Sequence, residues 1–405
     1  MTAGASFSAT AVRPLRLLFF VPMCIYPVSH GGASRIMNTI WGLSKRGHDV
    51  HVLSLVDNDA ERASMLSLPD VASSASYVLP PERIFLPGGA VPSAVRASFR
   101  PSMGRRIEEM VRRYAIDVLQ LEYTQSAAYL SRRLGVPAVL VEHDIAYRSA
   151  FRRALNLADA SGAASVLFDA ARLYRWEIKS AREADLVLTA SEQEAKILRR
   201  HGVANVSGAV PNGVDVAAIE PEGVRRETLD VLFVGYFPHA PNVDALRYFV
   251  AQVWPLLRKT GRPLSVSIVG SELPSDLACR VKECGFRYAG YVEDLPKELW
   301  SHRVFVAPIR YGAGTRIKLL EAAAAKCAIV STTLGAEGLG FRNGRDLIIA
   351  DRPADFASSV ERLLDDGAAR ARLGASAHDC VKRRFDWPML VVVLENLYYR
   401  LMERT

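Results

Sequence analysis

The sequence predicts an α/β protein made of two doubly wound domains, each with a parallel sheet covered by helices on both faces. Three observations lead to this prediction. A chain of 405 residues is too long for one ordinary domain. Short apolar runs alternate with segments of helical spacing, as in βαβ units. A break that contains proline and glycine at 211–213 divides this alternation into two series.

The first series begins with a near-continuous apolar run at 15–21, followed by helical spacing over 34–46. Continuous apolar runs are typical of parallel strands that are buried on both faces. Residues 17–28 also resemble the apolar core of a signal peptide. Two prolines and the lack of a small-residue cleavage site favour a strand instead. Further strands of this series are predicted at 51–55, 117–121, 138–141 and 186–189.

The second series follows a polar stretch at 220–228, which we interpret as a linker. It ends in an amphipathic helix over 388–402, whose apolar face must pack elsewhere, and we expect it to return to the first domain. We therefore predict an N-terminal domain at 1–218, a C-terminal domain at 219–386 and a final helix at 387–405. The predicted strands are 231–235, 264–270, 288–289, 304–307, 328–331 and 347–349, with helices over 243–257 and 318–325.

The composition excludes several classes of protein. Half of the residues are hydrophobic and 23% are charged, which is globular rather than disordered. The sequence has no run of 18 apolar residues, so no membrane-spanning helix is predicted. The net charge of +8 is not gathered into a basic run with aromatic residues, so no nucleic-acid partner is expected. Five dispersed cysteines without CxxC spacing indicate neither zinc nor disulfides, and they fit a cytoplasmic protein.

Two stretches of the first series end in residues suited to ligand binding. Gly31 and Gly32 follow the first strand and open a helix that carries Arg35. Paired glycines let a ligand approach the backbone, and a helix N-terminus binds phosphate; an ordinary turn is the alternative.

His143 and Asp144 follow the fourth strand, at the edge where parallel sheets bind ligands. A capped loop with a hydrogen-bonded histidine is the alternative there.

The strongest candidate is a glycine-rich loop that leads into a helix of the second series. Gly314 and Thr315 precede Arg316 and Lys318, which place two cations in the first helical turn. Such cations oppose the helix dipole, so an anion such as phosphate is expected between them. Glu321 lies about one helical turn from Lys318, where a carboxylate suits a vicinal diol such as a ribose. The alternative is a solvated helix start with an ion pair between Lys318 and Glu321.

Glu337 lies in a glycine-containing turn at 335–339, beyond the strand at 328–331. A lone glutamate between glycines is a turn residue by default. Its place at the carboxyl end of a strand makes ligand binding an equally good interpretation. Nothing in the sequence forms a cluster of histidine, cysteine and carboxylate residues that predicts a metal site.

These stretches together resemble the retaining GT-B glycosyltransferases of family 4, also called glycosyltransferase group 1. The resemblance extends over roughly residues 15–400 and is most specific in the second half. It implies two Rossmann-like domains that face each other across a cleft, with the last helix returning to the first domain. The segments that carry it are 210–215, 233–235, 241–246, 307–321, 335–339 and 385–387, with looser similarity at Gly31, Gly32 and 142–144.

The resemblance implies a nucleotide-sugar donor in the second domain, a glycan, lipid-linked or small-molecule acceptor in the first, and no cofactor or metal. The expected function is sugar transfer with retention of configuration, in polysaccharide or glycoconjugate biosynthesis. Of the candidate residues, His143, Arg316 and Lys318 would be catalytic, and Asp144 and Arg35 would bind the acceptor. The donor would be bound by Gly31, Gly32, Gly235, Gly314, Thr315, Glu321, Glu337, Gly338 and Leu339.

The chain departs from the family pattern at two places. The family has two glutamates separated by seven residues; Glu321 matches the second, and Ala313 stands at the first. The family also often carries a basic pair after the first strand of the second domain, where this chain has 236–239 (YFPH). Arg316 and Lys318 would then supply the leaving-group cations from downstream. A nucleotide-sugar epimerase of the same fold and a non-catalytic binding module are the two rival functions.

The segment 83–113 has seven arginines against two glutamates, a net charge of +5. Its second part has apolar residues at helical spacing beside Arg105, Arg106, Arg112 and Arg113. A helix with a solvated basic face is one interpretation. A patch that faces anionic phospholipid is the other. The second predicts a protein that associates reversibly with the inner face of the membrane.

Overall fold

The computed structural model describes residues 13–28, 31–68, 74–78, 91–131, 134–155, 160–219, 228–259, 261–312 and 316–404. Two parallel sheets account for the strands of these residues. The first contains β1 Arg16–Val21, β2 Asp49–Leu55, β3 Ser74–Val78, β4 Val118–Glu122, β5 Ala138–Glu142, β6 Leu186–Thr189 and β7 Val206–Ala209, in the order β3-β2-β1-β4-β5-β6-β7.

The second sheet contains β8 Leu229–Val234, β9 Val266–Val269, β10 Arg287–Gly290, β11 His302–Ala307, β12 Ala328–Ser331 and β13 Ile348–Ile349. Its order is β10-β9-β8-β11-β12-β13. In both sheets the strand order reverses beside the first strand, at β1/β4 and at β8/β11. Open parallel sheets bind ligands beyond the carboxyl ends of the strands at this reversal.

Helices cover both faces of each sheet and bury the apolar strands. Around the first sheet lie α1 Gly31–Lys45, α2 Asp59–Leu66, α3 Ser93–Ser98, α4 Pro101–Arg113, α5 Ala146–Leu155, α6 Ala160–Glu183 and α7 Glu192–Arg200. The rest are α8 Ala240–Tyr248, α9 Trp254–Arg258, α10 Ser275–Glu283, α11 Leu295–Ser301, α12 Ile317–Ala324, α13 Pro353–Asp365, α14 Gly367–Arg384 and α15 Trp387–Met402.

The order of predicted strands is confirmed, including the buried strand β1 where a signal peptide was the alternative. The predicted helix over 243–257 is instead α8 and α9, separated by a π-helical turn at Phe249–Val253. The short strands β3 and β7 and the helix pair α5 and α6 were not predicted. Residues 220–227 of the predicted linker at 220–228 and residues 83–90 of the basic segment at 83–113 lie outside the described residues, and the domain limits stay predictions.

The last helix returns to the first domain, as expected. Four buried residues of α15 join the core beneath β1, and α15 packs along α1. Gly42 of α1 allows this approach, because a Cβ atom there would lie 2.3 Å from Cγ2 of Val391. Any larger residue would push the helix away. The residues of α15 that belong to this core are Val391, Leu394, Tyr398 and Leu401.

Candidate active site

The first-domain half of the site is built where β4 and β5 end side by side. Glu122 ends β4, and His143 follows β5 by one residue. His143 Nε2 lies 2.6 Å from Glu122 Oε2, and the Tyr123 ring stacks on the imidazole at 3.8 Å between centroids. Burial lowers the pKa of His143, so the neutral ring prevails. Because a carboxylate only accepts, we assign the proton to Nε2, which leaves Nδ1 as an acceptor.

A buried chain of hydrogen bonds extends this pair to the C-terminal helix. Gln120 Nε2 donates to Glu122 Oε1 at 2.6 Å. The Tyr398 hydroxyl of α15 donates in turn to Gln120 Oε1. Gln120, Glu122 and Tyr398 are at most 3% exposed. A buried, fully paired network of this kind holds its members in one arrangement, so the orientation of His143 depends on the packing of α15.

Arg35 lies close to this network rather than on an open surface. It is buried, and Nη1 donates to Asn212 Oδ1 at 3.0 Å. Burial lowers the pKa of Arg35, while the charges of Glu122 and Glu194 oppose that change. Arginine remains charged in such surroundings. Arg35 therefore joins α1 to the segment after β7. Its predicted role is to bind the acceptor.

A group of carboxylates surrounds the loop between β5 and α5. Burial raises the pKa values of three of these carboxylates. The pKa of Glu177 rises to about 8, that of Glu194 to about 7, and that of Glu142 rises strongly. Glu177 accepts the N–H groups of Ala146 and Tyr147 and so caps α5. Asp144, predicted to bind the acceptor, accepts a hydrogen bond of 2.5 Å from Ser149 Oγ.

The second-domain half is centred on the start of α12. Lys318 Nζ donates to Val234 O at 3.0 Å and to Asn242 Oδ1 at 2.7 Å. The side chain thus reaches the end of β8, where the family often places its basic pair. Burial and the charge of Arg316 lower the pKa of Lys318 to about 7. Burial raises the pKa of Glu321 to about 7, against the attraction of Lys318.

Two further groups lie in this region, a buried arginine and a histidine. Arg316 is buried at the N-terminal boundary of α12, where Glu337 and Asp144 partly offset its loss of solvation. His239 lies near both cations, and its pKa falls through burial and their repulsion. Buried cations gathered in this way require an anionic partner nearby.

Contacts across the cleft bring the two halves together. A Cβ on Gly31 would lie 2.8 Å from Cδ1 of Ile317, so the first turn of α1 closely approaches α12. Arg152 of α5 donates to Gly312 O at 2.8 Å and to both carboxylate oxygens of Glu337 at 3.0 and 3.1 Å. Glu337 is therefore paired with the opposite domain.

The other predicted donor residues vary in their position. Gly32 lies in the first turn of α1, and Gly235 follows β8, with Asn242 Cβ 3.2 Å from where its own Cβ would be. Gly338 has a φ of 82°, which favours glycine. Leu339 is buried in the core of the second domain, so only its main chain is left for a ligand. Gly314 and Thr315, like Ala313, lie outside the described residues.

Glu122, Gln120, Arg152 and Asn242 were not among the predicted site residues. Glu122 ends an apolar strand at the same sheet edge as His143, and Asn242 lies in a segment that carries the family resemblance, so the sequence held a signal for both. Gln120 and Arg152 contact residues far away along the chain, for which no local signal exists. Within the described residues, no group of three or more His, Cys, Asp or Glu side chains is placed to hold a metal ion. No helix among them is long and apolar enough to cross a membrane.

Two family models match the chain and together cover most of it. Residues 29–218 match the model described as glycosyltransferase family 4, and residues 228–366 match the one described as glycosyl transferases group 1. The chain belongs to this family of glycosyltransferases. Its two-domain fold is that of the GT-B glycosyltransferases.

Curated relatives align over nearly the whole chain at low identity. An uncharacterised 44.6 kDa protein of the cps region of Klebsiella pneumoniae is 21% identical over 90% of this chain and 94% of its own length. A phosphatidyl-myo-inositol mannosyltransferase of Mycolicibacterium smegmatis is 24% identical over 92% of this chain and 91% of its own.

Solved structures show the same fold. Sucrose-phosphate synthase of Thermosynechococcus elongatus superposes with a TM-score of 0.75 at 17% identity, over 96% of this chain and all of the other. HepE of Anabaena in complex with UDP-glucose gives a TM-score of 0.67 at 13% identity, over 96% of this chain and all of the other.

Proposed function

We propose that this glycosyltransferase moves a sugar from a nucleoside diphosphate donor to an acceptor hydroxyl, with retention of configuration and without a metal ion. The observation that carries the proposal is that Lys318 reaches the end of β8 with the charges of Arg316 and Glu321 near it. Breaking a sugar–phosphate bond places new negative charge on the departing diphosphate. Preorganised cations at that point stabilise the transition state, which removes the need for a metal.

In this proposal each half of the cleft has its own task. Lys318 and Arg316 bind the diphosphate, Glu321 accepts hydrogen bonds from the ribose, and Nδ1 of His143 accepts one from a hydroxyl of the sugar. Gly31, Gly32, Gly235, Gly314, Thr315, Glu337, Gly338 and Leu339 complete the donor site through their main chain or side chains. Asp144 and Arg35 are assigned to the acceptor.

The acceptor is proposed to be a glycan or a lipid-linked sugar in polysaccharide or glycoconjugate biosynthesis. The cps-region relative and the phosphatidyl-myo-inositol mannosyltransferase support this choice. The UDP-glucose bound to HepE makes UDP-sugars the first donors to test.

The proposal is tested by thermal shift with UDP, GDP, ADP and dTDP and their sugars, followed by turnover of the donor that binds. We expect one nucleotide to raise the melting temperature and its sugar to be transferred, with the anomeric configuration read by NMR. Full activity in EDTA is expected. Stabilisation by no nucleotide would contradict the proposal, and an inverted product would contradict the retaining mechanism alone.

A GT-B epimerase is the second candidate, because one observation favours it. Burial and the charge of Asp144, in the loop after β5, raise the pKa of Glu177 to about 8 and that of Glu194 to about 7. An epimerase needs groups that exchange protons near neutral pH. An epimerase would convert the nucleotide sugar into its epimer without an acceptor. Epimer formation in acceptor-free reactions would favour it over transfer.

A further inference from the structure

The helix pair α5 and α6 has an unusual surface for a water-exposed part of a protein. In the described part of the chain, five of the eleven exposed large hydrophobic side chains lie on these two helices. Phe151, Leu155 and Phe168 are 50%, 68% and 62% exposed. Apolar groups that are gathered in one patch mark a binding surface, whereas single ones do not.

A groove of about 800 Å³ lies between the two helices, among these side chains. Tyr147, Phe151, Leu155 and Leu167 give it a mainly apolar lining. Its volume is that of a small-molecule site. A groove of this size and chemistry is suited to a hydrocarbon chain.

A second cavity of about 470 Å³ adjoins the groove, with Arg148 in the lining of both. This cavity is lined by the basic residues Lys196 and Arg200 of α7 as well as by Arg148. None of the three forms an ion pair within the described residues. The nearby Glu192 is engaged by Arg199 at 2.7 Å and so does not neutralise them. Three such cations are suited to a phosphate.

The groove also borders the cleft. Arg152 lines it and makes the contacts to Gly312 and Glu337 across the cleft. Helix α5 itself begins three residues after His143. One helix therefore connects the groove to the first-domain half of the candidate site.

We propose that the groove and the basic cavity together bind a lipid whose headgroup phosphate gives it a net negative charge. Its hydrocarbon chain lies between α5 and α6, and its phosphate contacts Arg148, Lys196 and Arg200. This inference rests on the proposed function, since the bound lipid serves as the acceptor. It places lipid contact on the helix pair rather than on α4, the basic helix that the sequence singled out.

The structure of α4 supports this relocation. Its apolar residues Met103, Ile107, Met110 and Val111 are buried against the first sheet. Arg106 pairs with Glu109 at 2.7 Å, and Arg112 lies 3.9 Å from Glu108. Helix α4 thus offers no apolar surface to a bilayer, and acidic neighbours reduce its positive charge.

Co-sedimentation with vesicles tests the inference, using phosphatidylcholine alone or mixed with phosphatidylglycerol. We expect binding only to the mixed vesicles. Each basic residue near an anionic surface strengthens binding roughly fivefold, so R148S/K196S/R200S should weaken it on the order of 100-fold. K196S/R200S changes only exposed side chains and should weaken it roughly 30-fold. F151S/L155S should weaken it about tenfold by removing apolar area.

Matched controls separate this surface from others. R105S/R106S/R112S/R113S on α4 removes more charge, and Y291S removes an apolar side chain that is 72% exposed elsewhere; both should bind as the parent does. Loss of binding in the α4 variant with retention in the helix-pair variants would overturn the inference. A second result would also overturn the inference: inorganic phosphate at matched ionic strength displaces the protein from vesicles, and F151S/L155S leaves vesicle binding unchanged. That result would indicate a soluble phosphate ligand.

The thermal shift produced by UDP is measured on every variant. Because the groove variants leave α12 untouched, their response to the nucleotide should equal that of the parent. A normal nucleotide response without vesicle binding overturns the lipid inference and leaves the proposed function standing. Vesicle binding in a protein that binds no nucleotide contradicts the proposed function instead.

Discussion

The two sides of the cleft differ in the kind of charge that they bury. The first-domain side places His143 among carboxylates, several of which have raised pKa values. The second-domain side gathers Arg316, Lys318 and His239. Burial destabilises the charged groups on each side. Opposite charges across the cleft partly offset this cost, as in the pair Arg152–Glu337. The difference is what the proposed function requires, in which one side binds the diphosphate and the other contacts hydroxyl groups.

The largest expected effect comes from removing the cations of the second domain. Arg316→Ala and Lys318→Ala should each lower kcat on the order of 10²-fold, because each removes charge that stabilises the leaving diphosphate. Arg247→Ala is the matched control, since Arg247 is exposed and paired with Asp276 in the same domain. Near-normal turnover in both site variants would disprove the diphosphate site.

Glu321→Ala should weaken nucleotide binding by about 1.5–3 kcal/mol, as expected for the loss of a hydrogen bond to a charged group. Calorimetry with UDP, or with the nucleotide found to bind, measures this change. Glu361→Ala, on the outer helix α13, serves as the control. An unaltered affinity in the Glu321 variant would exclude contact with the ribose.

On the first-domain side, Glu122→Gln should lower kcat about tenfold while nucleotide affinity stays the same. Glu122 accepts from both Gln120 and His143, whereas glutamine has only one accepting oxygen. The conflict is relieved if the proton of His143 moves to Nδ1, which then no longer accepts from the sugar. A ¹⁵N NMR spectrum of the ring reports this tautomer. An unchanged spectrum and unchanged kcat would rule out the assigned role.

The pH dependence of nucleotide binding should also separate the two groups of the second domain. Lys318 is charged below its pKa of about 7, so affinity should fall as the pH rises above 7, up to tenfold per pH unit. Glu321 is ionised above its pKa of about 7, so affinity should also fall below that pH. K318R keeps its charge and should flatten the alkaline side alone. A flat profile in the parent would show that neither group titrates in this range.

The smallest effect is expected at the far end of the hydrogen-bond chain. Tyr398→Phe removes one buried hydrogen bond and should lower the free energy of unfolding by about 0.5–1.5 kcal/mol. If Tyr398 positions His143, the variant should also lower kcat a few-fold with an unchanged KM. Tyr399→Phe, which removes the bond of an exposed neighbour to the main chain of Arg13, is the control. A loss of stability without any change in kcat would limit Tyr398 to a structural role.

Local sequence was sufficient for most of the strands, the main helices and the residues of the proposed diphosphate site. Apolar runs and helical spacing are properties of neighbours in the chain, and Arg316, Lys318 and Glu321 stand within two turns of one helix. The sequence also identified α15 as a helix in need of a partner. The helix pair α5 and α6 was not predicted. Arginines separate the apolar residues of α5, so the sequence there does not resemble the buried face of a helix.

Only the tertiary structure decided how these groups are used. Glu122 and His143 are 21 residues apart, Lys318 and Val234 are 84 apart, and Tyr398 and Gln120 are 278 apart. No local pattern specifies such pairs, because they depend on strand order, register and the return of α15. The shifted pKa values of Lys318 and Glu321 arise from burial, which a sequence does not display. The residue types were therefore readable from the chain, while their partners and protonation were set by the fold.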